Sequence, residues 1–482
     1  MLASPRRTAQ PGLLKKNTRR RCRCTASSRK PPSLDSLQRC VTVLEPLLAR
    51  PELDAQLELK RALRSLGSAV DNDDRGLISR VVLGSVVLRA RLEHLATTSR
   101  LSTLLPQSLS FVCLYLLYHC DDAPHWKLSV SEPLTVQLIS AYDNAAVLTA
   151  LKRASPDAVA WPEDQVLRLS VFRSLPLWLV QRLVSQYGAA SASALAAAWN
   201  SPGPVTLRVN TLRVSVDDVQ QSLTAAGFAV QPGVHAPFAL RLLDGRPPLG
   251  VWSLPGWADG FFEVQDEGSQ LIAWATSAAP GETVLDLCAG NGGKTLALAS
   301  RVKPGGGRVI CFDVNARRLT HLAANAARAG CEDCITLCTD EAALSAAVAA
   351  TPVDCVLVDA PCSSSGALRR TPHARWKPGL EEETKQMPAT QRQLLAHAAS
   401  MVRPGGRLVY ATCSVLASEN QDVSDWFRQA FGEHFTPLPF DSDVAAWPGP
   451  PGLESARHSV ALLPHVHGTD GFYIARWLKR IP

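Results

Sequence analysis

The stretch TVLDLCAGNGGKTLALASRV, residues 283 to 302, decides the fold. Its first residues are apolar and partly β-branched, and the run is too short for a helix, so it reads as a strand. Glycines 290, 292 and 293 follow, and then a helical pattern begins at Lys294. Glycines there allow the backbone to approach a ligand closely. The spacing matches neither GxxxxGK[ST] nor GxGxxG, so this is not a phosphate-cradling loop. Reading outward, RVICFDV (308–314), CITLCTD (334–340), VDCVLVDAP (353–361) and RLVYATC (407–413) are further strand signals. ARRLTHLAANAARAG and QRQLLAHAASMV supply helices between them. Strands spaced by helices predict an α/β fold with a doubly wound parallel sheet. Its ligand site would lie at the carboxyl ends of the strands.

Those strand ends carry chemistry. After the glycine loop the next three strands end in Asp313, Asp340 and Asp359. An acid about twenty residues past a glycine loop suits a ribose diol, which points to Asp313. Asp340 is placed for an adenine edge. Nucleoside recognition without phosphate binding fits S-adenosylmethionine better than a dinucleotide. Two strand ends also carry cysteines, Cys362 and Cys413. A pyrimidine C5 is a poor nucleophile until a thiolate adds to C6 and turns C5 into an enamine-like carbon, which is covalent catalysis. That chemistry needs a thiolate, an acid against the base and an unpaired base. Asp359, Cys362 and Cys413 supply the required types, and the residues alone do not say which cysteine attacks.

The rest of the 482-residue chain divides by pattern. Residues 1–34 hold ten Lys or Arg and no acid, as organelle transit peptides do, so a mitochondrial or plastid address is expected; the alternative is a basic tail that binds RNA or is disordered, with the protein in the nucleolus or cytoplasm. The net charge is +7, so the body beyond the leader carries a slight negative balance and is not a polyanion binder by bulk charge. Residues 35–154 show helical spacing throughout and predict an all-α domain, and 155–200 read as linker helices. Residues 201–261 mix strand, helix and turn signals into a small α+β module, and 262–482 form the α/β domain. The longest apolar stretch, SFVCLYLLYHC (110–120), is too short to span a membrane. The cluster CEDCITLC (331–338) lacks a second pair and a histidine, so no metal is expected.

DAPCSSSGALRRTPHARW (359–376) and YATCSVLASEN (410–420) resemble the paired signatures of the RNA cytosine-5 methyltransferases of the Sun (Fmu) family. LRVNTLR, FFEVQDEGSQL, LCAGNGGKT and DGFYIARWLK are similar to further blocks of it. The helical segments DRGLISRVVLGSVVLR and LSFVCLYLLYHCDDAPHW resemble the NusB-like domain of its bacterial 16S rRNA branch, RsmB. The resemblance implies a Rossmann-like S-adenosylmethionine-dependent methyltransferase domain preceded by an RNA-binding α+β module and a NusB-like domain. It implies 5-methylcytosine formation in RNA, with ribosomal RNA and small-subunit precursors as the expected partners. A tRNA substrate, or a silent assembly factor, is the alternative. By the same resemblance Cys413 is the nucleophile, Cys362 assists product release and Asp359 binds the target cytosine. The cofactor would be held by Cys288, Ala289, Gly290, Asn291, Gly292, Gly293, Lys294, Asp313, Asp340 and Asp359. Arg318 is a further candidate near it. Asn210, Arg369, Arg370, Arg375 and Lys377 are the candidates for RNA contact. One departure is local: Gly290-Asn291 stand where the family has Ala-Pro.

Overall fold

The computed structural model describes residues 30–120, 123–245, 247, 250–440, 448–449 and 458–482. Most of the basic leader lies outside them. Among the described residues no helix is long and apolar enough to cross a membrane.

Residues 34–153 form a helical domain around Gln107–Tyr118, whose residues Ser108 to Leu117 are all buried. This helix has no charged residue, so it can be surrounded on every side. Helices Leu34–Ala49, Asn72–Val87 and Arg89–Thr98 pack on it. Asp54, Asp71 and Asp143 start helices by accepting backbone N–H groups that have no partner within the helix.

The segment read as linker helices has a core of its own. Gln165–Arg173 packs on Leu177–Trp199, a helical run broken at Gly188, which takes φ 77°. Leu179, Leu183 and Leu195 pack with Leu368, Val415 and Leu416, which belong to the two cysteine-bearing segments. These helices therefore brace the catalytic domain.

Twelve strands occur among the described residues. β1 (Val205–Val209), β2 (Val230–Pro232), β3 (Ala239–Leu242) and β4 (Phe262–Val264) form an antiparallel sheet in the order β2-β3-β1-β4. The second sheet contains β5 (Thr283–Asp286), β6 (Arg308–Phe312), β7 (Ile335–Cys338), β8 (Val353–Asp359), β9 (Val402–Thr412), β10 (Phe435–Pro437), β11 (Ser459–Leu462) and β12 (Phe472–Lys479). Its order is β10-β12-β9-β8-β5-β6-β7, with β11 on β12. Strands β5 to β9 are parallel, and the strand order reverses between β5 and β8, where a doubly wound sheet opens its ligand crevice. The expectation of a wholly parallel sheet needs correcting at one edge: β12 runs antiparallel to β9, and β10 and β11 antiparallel to β12.

Four of the five RNA-contact candidates are engaged inside the protein. Asn210 is buried and donates from Nδ2 to the carbonyls of Gly260 (2.9 Å) and Ala329 (2.8 Å), joining the small sheet to the α/β domain. Arg369 and Arg370 both pair with Asp470, and Arg370 also with Asp266 at 3.0 Å. Arg375 is 1% exposed and donates to the carbonyls of Ser174 and Trp199 and to Asn200 Oδ1. Burial pulls its guanidinium down to about 9. Only Lys377 is exposed, and its Nζ lies 2.7 Å from Glu383. Side chains this buried and held by protein acceptors do not present themselves to a phosphate, so Asn210, Arg369 and Arg375 are corrected to structural roles. Arg375→Ala is expected to destabilise the fold by about 2–4 kcal/mol, since it strands three buried acceptors. Denaturant unfolding without RNA checks this; unchanged stability with weakened RNA binding would restore the contact role.

Candidate active site

The loop after β5 is shaped by two glycines with different duties. Gly290 takes φ 55°, and a Cβ there would meet nothing, so this side of the loop faces open space. Gly292 takes φ 81° and caps helix Gly293–Val302; a Cβ there would fall 2.3 Å from Leu322 Cδ1. One glycine keeps room for a ligand and the other lets the loop pack. Asp313, just past β6, is buried and accepts from the N–H groups of Gly290 (2.9 Å) and Asn315 (2.8 Å).

A cleft of about 590 Å³ opens at the carboxyl ends of β5, β6 and β8. Cys288, Ala289, Gly290, Asn291, Gly293, Lys294, Asp313, Arg318, Asp359, Cys362 and Cys413 line it. Gly292 lies behind it. Asp340 is not among its lining: it is exposed and accepts the Ala343 N–H as the cap of helix Glu341–Ala350.

Charge is concentrated in this cleft. Lys294 Nζ lies 2.5 Å from Asp359 Oδ2. Burial works against the ammonium, but Asp359 outweighs it and the Lys294 pKa stands above its usual value. Asp286, at the end of β5, was missed by the sequence reading although an acid at a strand end was the signal used for its neighbours. It is 1% exposed; its Oδ2 accepts the Thr295 hydroxyl at 2.7 Å, and Oδ1 has no partner. Burial pushes its carboxyl up to about 7, against the pull of Thr295. Ser364, Gln265 and the exposed Val314 also line the cleft without having been anticipated.

The two cysteines meet at the rim. Cys362 Sγ and Cys413 Sγ are 3.4 Å apart, and the Ser364 hydroxyl is 3.4 Å from Cys413 Sγ. Backbone bonds join their segments: Ala360 N–H donates to Ala411 O and Gly366 N–H to Cys413 O. The thiols are driven apart in acidity. The hydrogen bond from Cys362, helped by Ser364 and Lys294 and opposed by burial, holds Cys413 below the usual thiol value. The same bond, with burial and the nearby Glu419, raises Cys362. Among the described residues no group of three or more metal-ligating side chains occurs.

A sheet that reverses between β5 and β8, with a glycine loop and an acid at the next strand end, defines a Rossmann-like methyltransferase. The comparisons narrow the class. The family model described as 16S rRNA methyltransferase RsmB/F matches residues 273–478, and the RsmF/B-like ferredoxin-like domain matches residues 175–247. Ribosomal RNA small subunit methyltransferase B of Pseudomonas syringae pv. tomato is 30% identical over 437 residues, covering 89% of this chain and 94% of that one. The crystal structure of PH0851 shares the fold at a TM-score of 0.70 and 22% identity, over 93% of this chain and 99% of that one. A methyltransferase homolog from Pyrococcus horikoshii matches at a TM-score of 0.55 and 29% identity, over 66% and 100%. The chain belongs to the RsmB/F methyltransferase family.

The unequal thiols generate a measurable expectation. Iodoacetamide should modify Cys413 before Cys362, with a pH midpoint for Cys413 below the ordinary thiol value of about 8.5. Peptide mass spectrometry across pH 6 to 10 reads both sites; equal rates, or Cys362 first, would reverse the assignment.

Proposed function

We propose that this chain methylates C5 of cytosine in small-subunit ribosomal RNA, with S-adenosylmethionine as methyl donor. One observation carries the reading: two thiols, Cys362 and Cys413, 3.4 Å apart and both lining the cleft. Methylation of a base nitrogen or a ribose oxygen needs no thiol, because the heteroatom has its own lone pair. Only the ring carbon needs covalent activation. The printed name of the Pseudomonas relative supports ribosomal RNA as substrate.

The residues suit the methyl donor. Gly290 leaves open space beside the loop, Asp313 offers a buried carboxylate for a ribose, and Asp286 holds an unpartnered oxygen that a cationic amine would satisfy. When bound, S-adenosylmethionine supplies an electrophilic methyl group. Cys413 attacks C6 as thiolate, forming the S–C6 bond and moving the C5–C6 π pair to C5. Asp359, held by Lys294, orients the target base by hydrogen bonding. After C5 is methylated, loss of its proton to a base re-forms C5=C6 and returns the S–C6 pair to Cys413. Cys362 assists that release from beside the departing sulfur.

The two cysteines separate by trapping. Cys413→Ala should lower 5-methylcytosine formation in small-subunit rRNA about a thousandfold or more and give no covalent complex. Cys362→Ala should still attack and methylate but release slowly, leaving an RNA-linked band on a denaturing gel. Trapping by Cys413→Ala would exchange the roles, and trapping by neither would remove the covalent mechanism. Bisulfite mapping of small-subunit rRNA against tRNA from cells with and without the gene decides the substrate.

The acid-free leader supports an organelle as the place of action. Residues 1–40 fused to a fluorescent protein should reach mitochondria or plastids; a nucleolar or cytosolic signal would sink that address.

A further inference from the structure

Glu419 is fully buried and is not among the residues lining the cleft. Its carboxylate grips both cysteine segments. Oε1 accepts the Ser363 N–H at 2.7 Å, and Oε2 accepts the Ser363 hydroxyl at 2.6 Å and the Ser414 hydroxyl. Ser363 follows Cys362 directly, and Ser414 follows Cys413. With both hydroxyls donating to Glu419, their oxygens are left to accept. Ser414 Oγ accepts from the Leu416 N–H (3.1 Å) and the Ser365 hydroxyl (3.0 Å), and Ser365 Oγ accepts from the Val415 N–H (3.0 Å). One carboxylate therefore orients three serine hydroxyls across two segments.

The backbone next to the clamp is strained. Ser364 takes φ 55° and ψ 23°, a left-handed conformation that is unfavourable for a non-glycine residue. Such strain persists only where the surroundings over-determine it. Ser364 is the residue whose hydroxyl lies 3.4 Å from Cys413 Sγ, and the grip on Ser363 sits between it and Cys362.

We propose that Glu419 is a positioning residue for the thiol pair: it holds Cys362 Sγ and the Ser364 hydroxyl 3.4 Å from Cys413 Sγ, where both can donate once Cys413 is a thiolate. The proposal rests on the covalent reading above. Lys294 and Asp359 face Cys413 from the cleft, while Glu419 and Tyr410 face Cys362. The Tyr410 hydroxyl is itself bonded to the Glu419 carbonyl at 2.5 Å. The Glu419 carboxylate disfavours the Cys362 thiolate, which keeps its proton available to Cys413.

The test uses the full chain and Glu419→Gln, which keeps the volume but replaces one acceptor oxygen with an amide donor. Iodoacetamide labelling of Cys413 and Cys362 against pH is read by mass spectrometry, without RNA or methyl donor. The Cys413 midpoint should rise by about one pH unit and its preference over Cys362 should fall about tenfold. In turnover, kcat should fall while KM for RNA and for methyl donor stays within about twofold, the pattern of an interaction outside substrate binding. A folded Glu419→Gln protein with a wild-type labelling profile would overturn the proposal. If that variant does not fold, Ser363→Ala removes the hydroxyl links and leaves the Ser363 N–H bond to Glu419 Oε1. It should shift the profile less but in the same direction, and Ser363→Thr should restore it; no shift in Ser363→Ala overturns the proposal equally. A shifted profile in an enzyme that makes no 5-methylcytosine would sink the functional reading and leave the positioning role standing.

Discussion

The parallel register of β8 against β9 pairs Asp359 with Ala411, and the rest of the site depends on it. Both strands end at one level, so Cys362 and Cys413 leave the sheet side by side. The register is strongly specified because β8 is covered on both faces: Cys355, Val356, Leu357 and Val358 are all fully buried. A slip of one residue would exchange the two faces of the strand and turn its side chains into the wrong layers. On the far side of β9, β12 pairs Tyr473 with Thr412, so the strand leading to Cys413 is held from both edges.

Electrostatics joins the two halves of the cleft. Lys294 belongs to the helix that follows the glycine loop, and Asp359 precedes Cys362 by three residues. Their ion pair ties the cofactor loop to the thiols, and Lys294 also favours the Cys413 thiolate. Asp286, Asp313 and Asp359 converge on the same space, so a single lysine sits among three acids. Burial is the leading reason that Asp286 rises to about 7, with the neighbouring acids adding to it. With three acids against Lys294 and Arg318, the cleft is suited to a ligand with positive charge and hydroxyl donors.

The segment after Cys362 assembles the domains. Arg370 O accepts from Gln56 Nε2 at 2.5 Å, and Trp376 Nε1 donates to Val86 O at 2.9 Å, both reaching the helical domain. Arg375 holds the helices of residues 165–199, and Arg369 and Arg370 hold Asp470 at the start of the terminal block. The basic residues that look like an RNA-binding run thus fasten three parts of the chain to the thiol loop. Hydrogen bonds to charged groups contribute more than neutral ones, and unpaired buried charges are costly, so such a hub favours one arrangement of the domains.

Local patterns settled a good part of this protein in advance. The strand, glycine loop and helix of residues 283–302, the three- and four-residue spacing of the N-terminal helices, and the cysteines at strand ends all follow from residues close in sequence. The strand-end rule that located Asp313 also pointed to Asp340, whose Oδ1 caps the next helix: the rule says where a strand stops, not which partners its last side chain meets. The antiparallel β12, the burial of Asn210 and Arg375, and the grip of Glu419 on both cysteine segments depend on partners far away in the chain. Asn210 meets Ala329, and Arg375 meets Ser174, only once the domains have packed. A polar side chain reads as free in a sequence because its type states what it can donate or accept. Tertiary packing alone determines whether the protein or its substrate receives that bond.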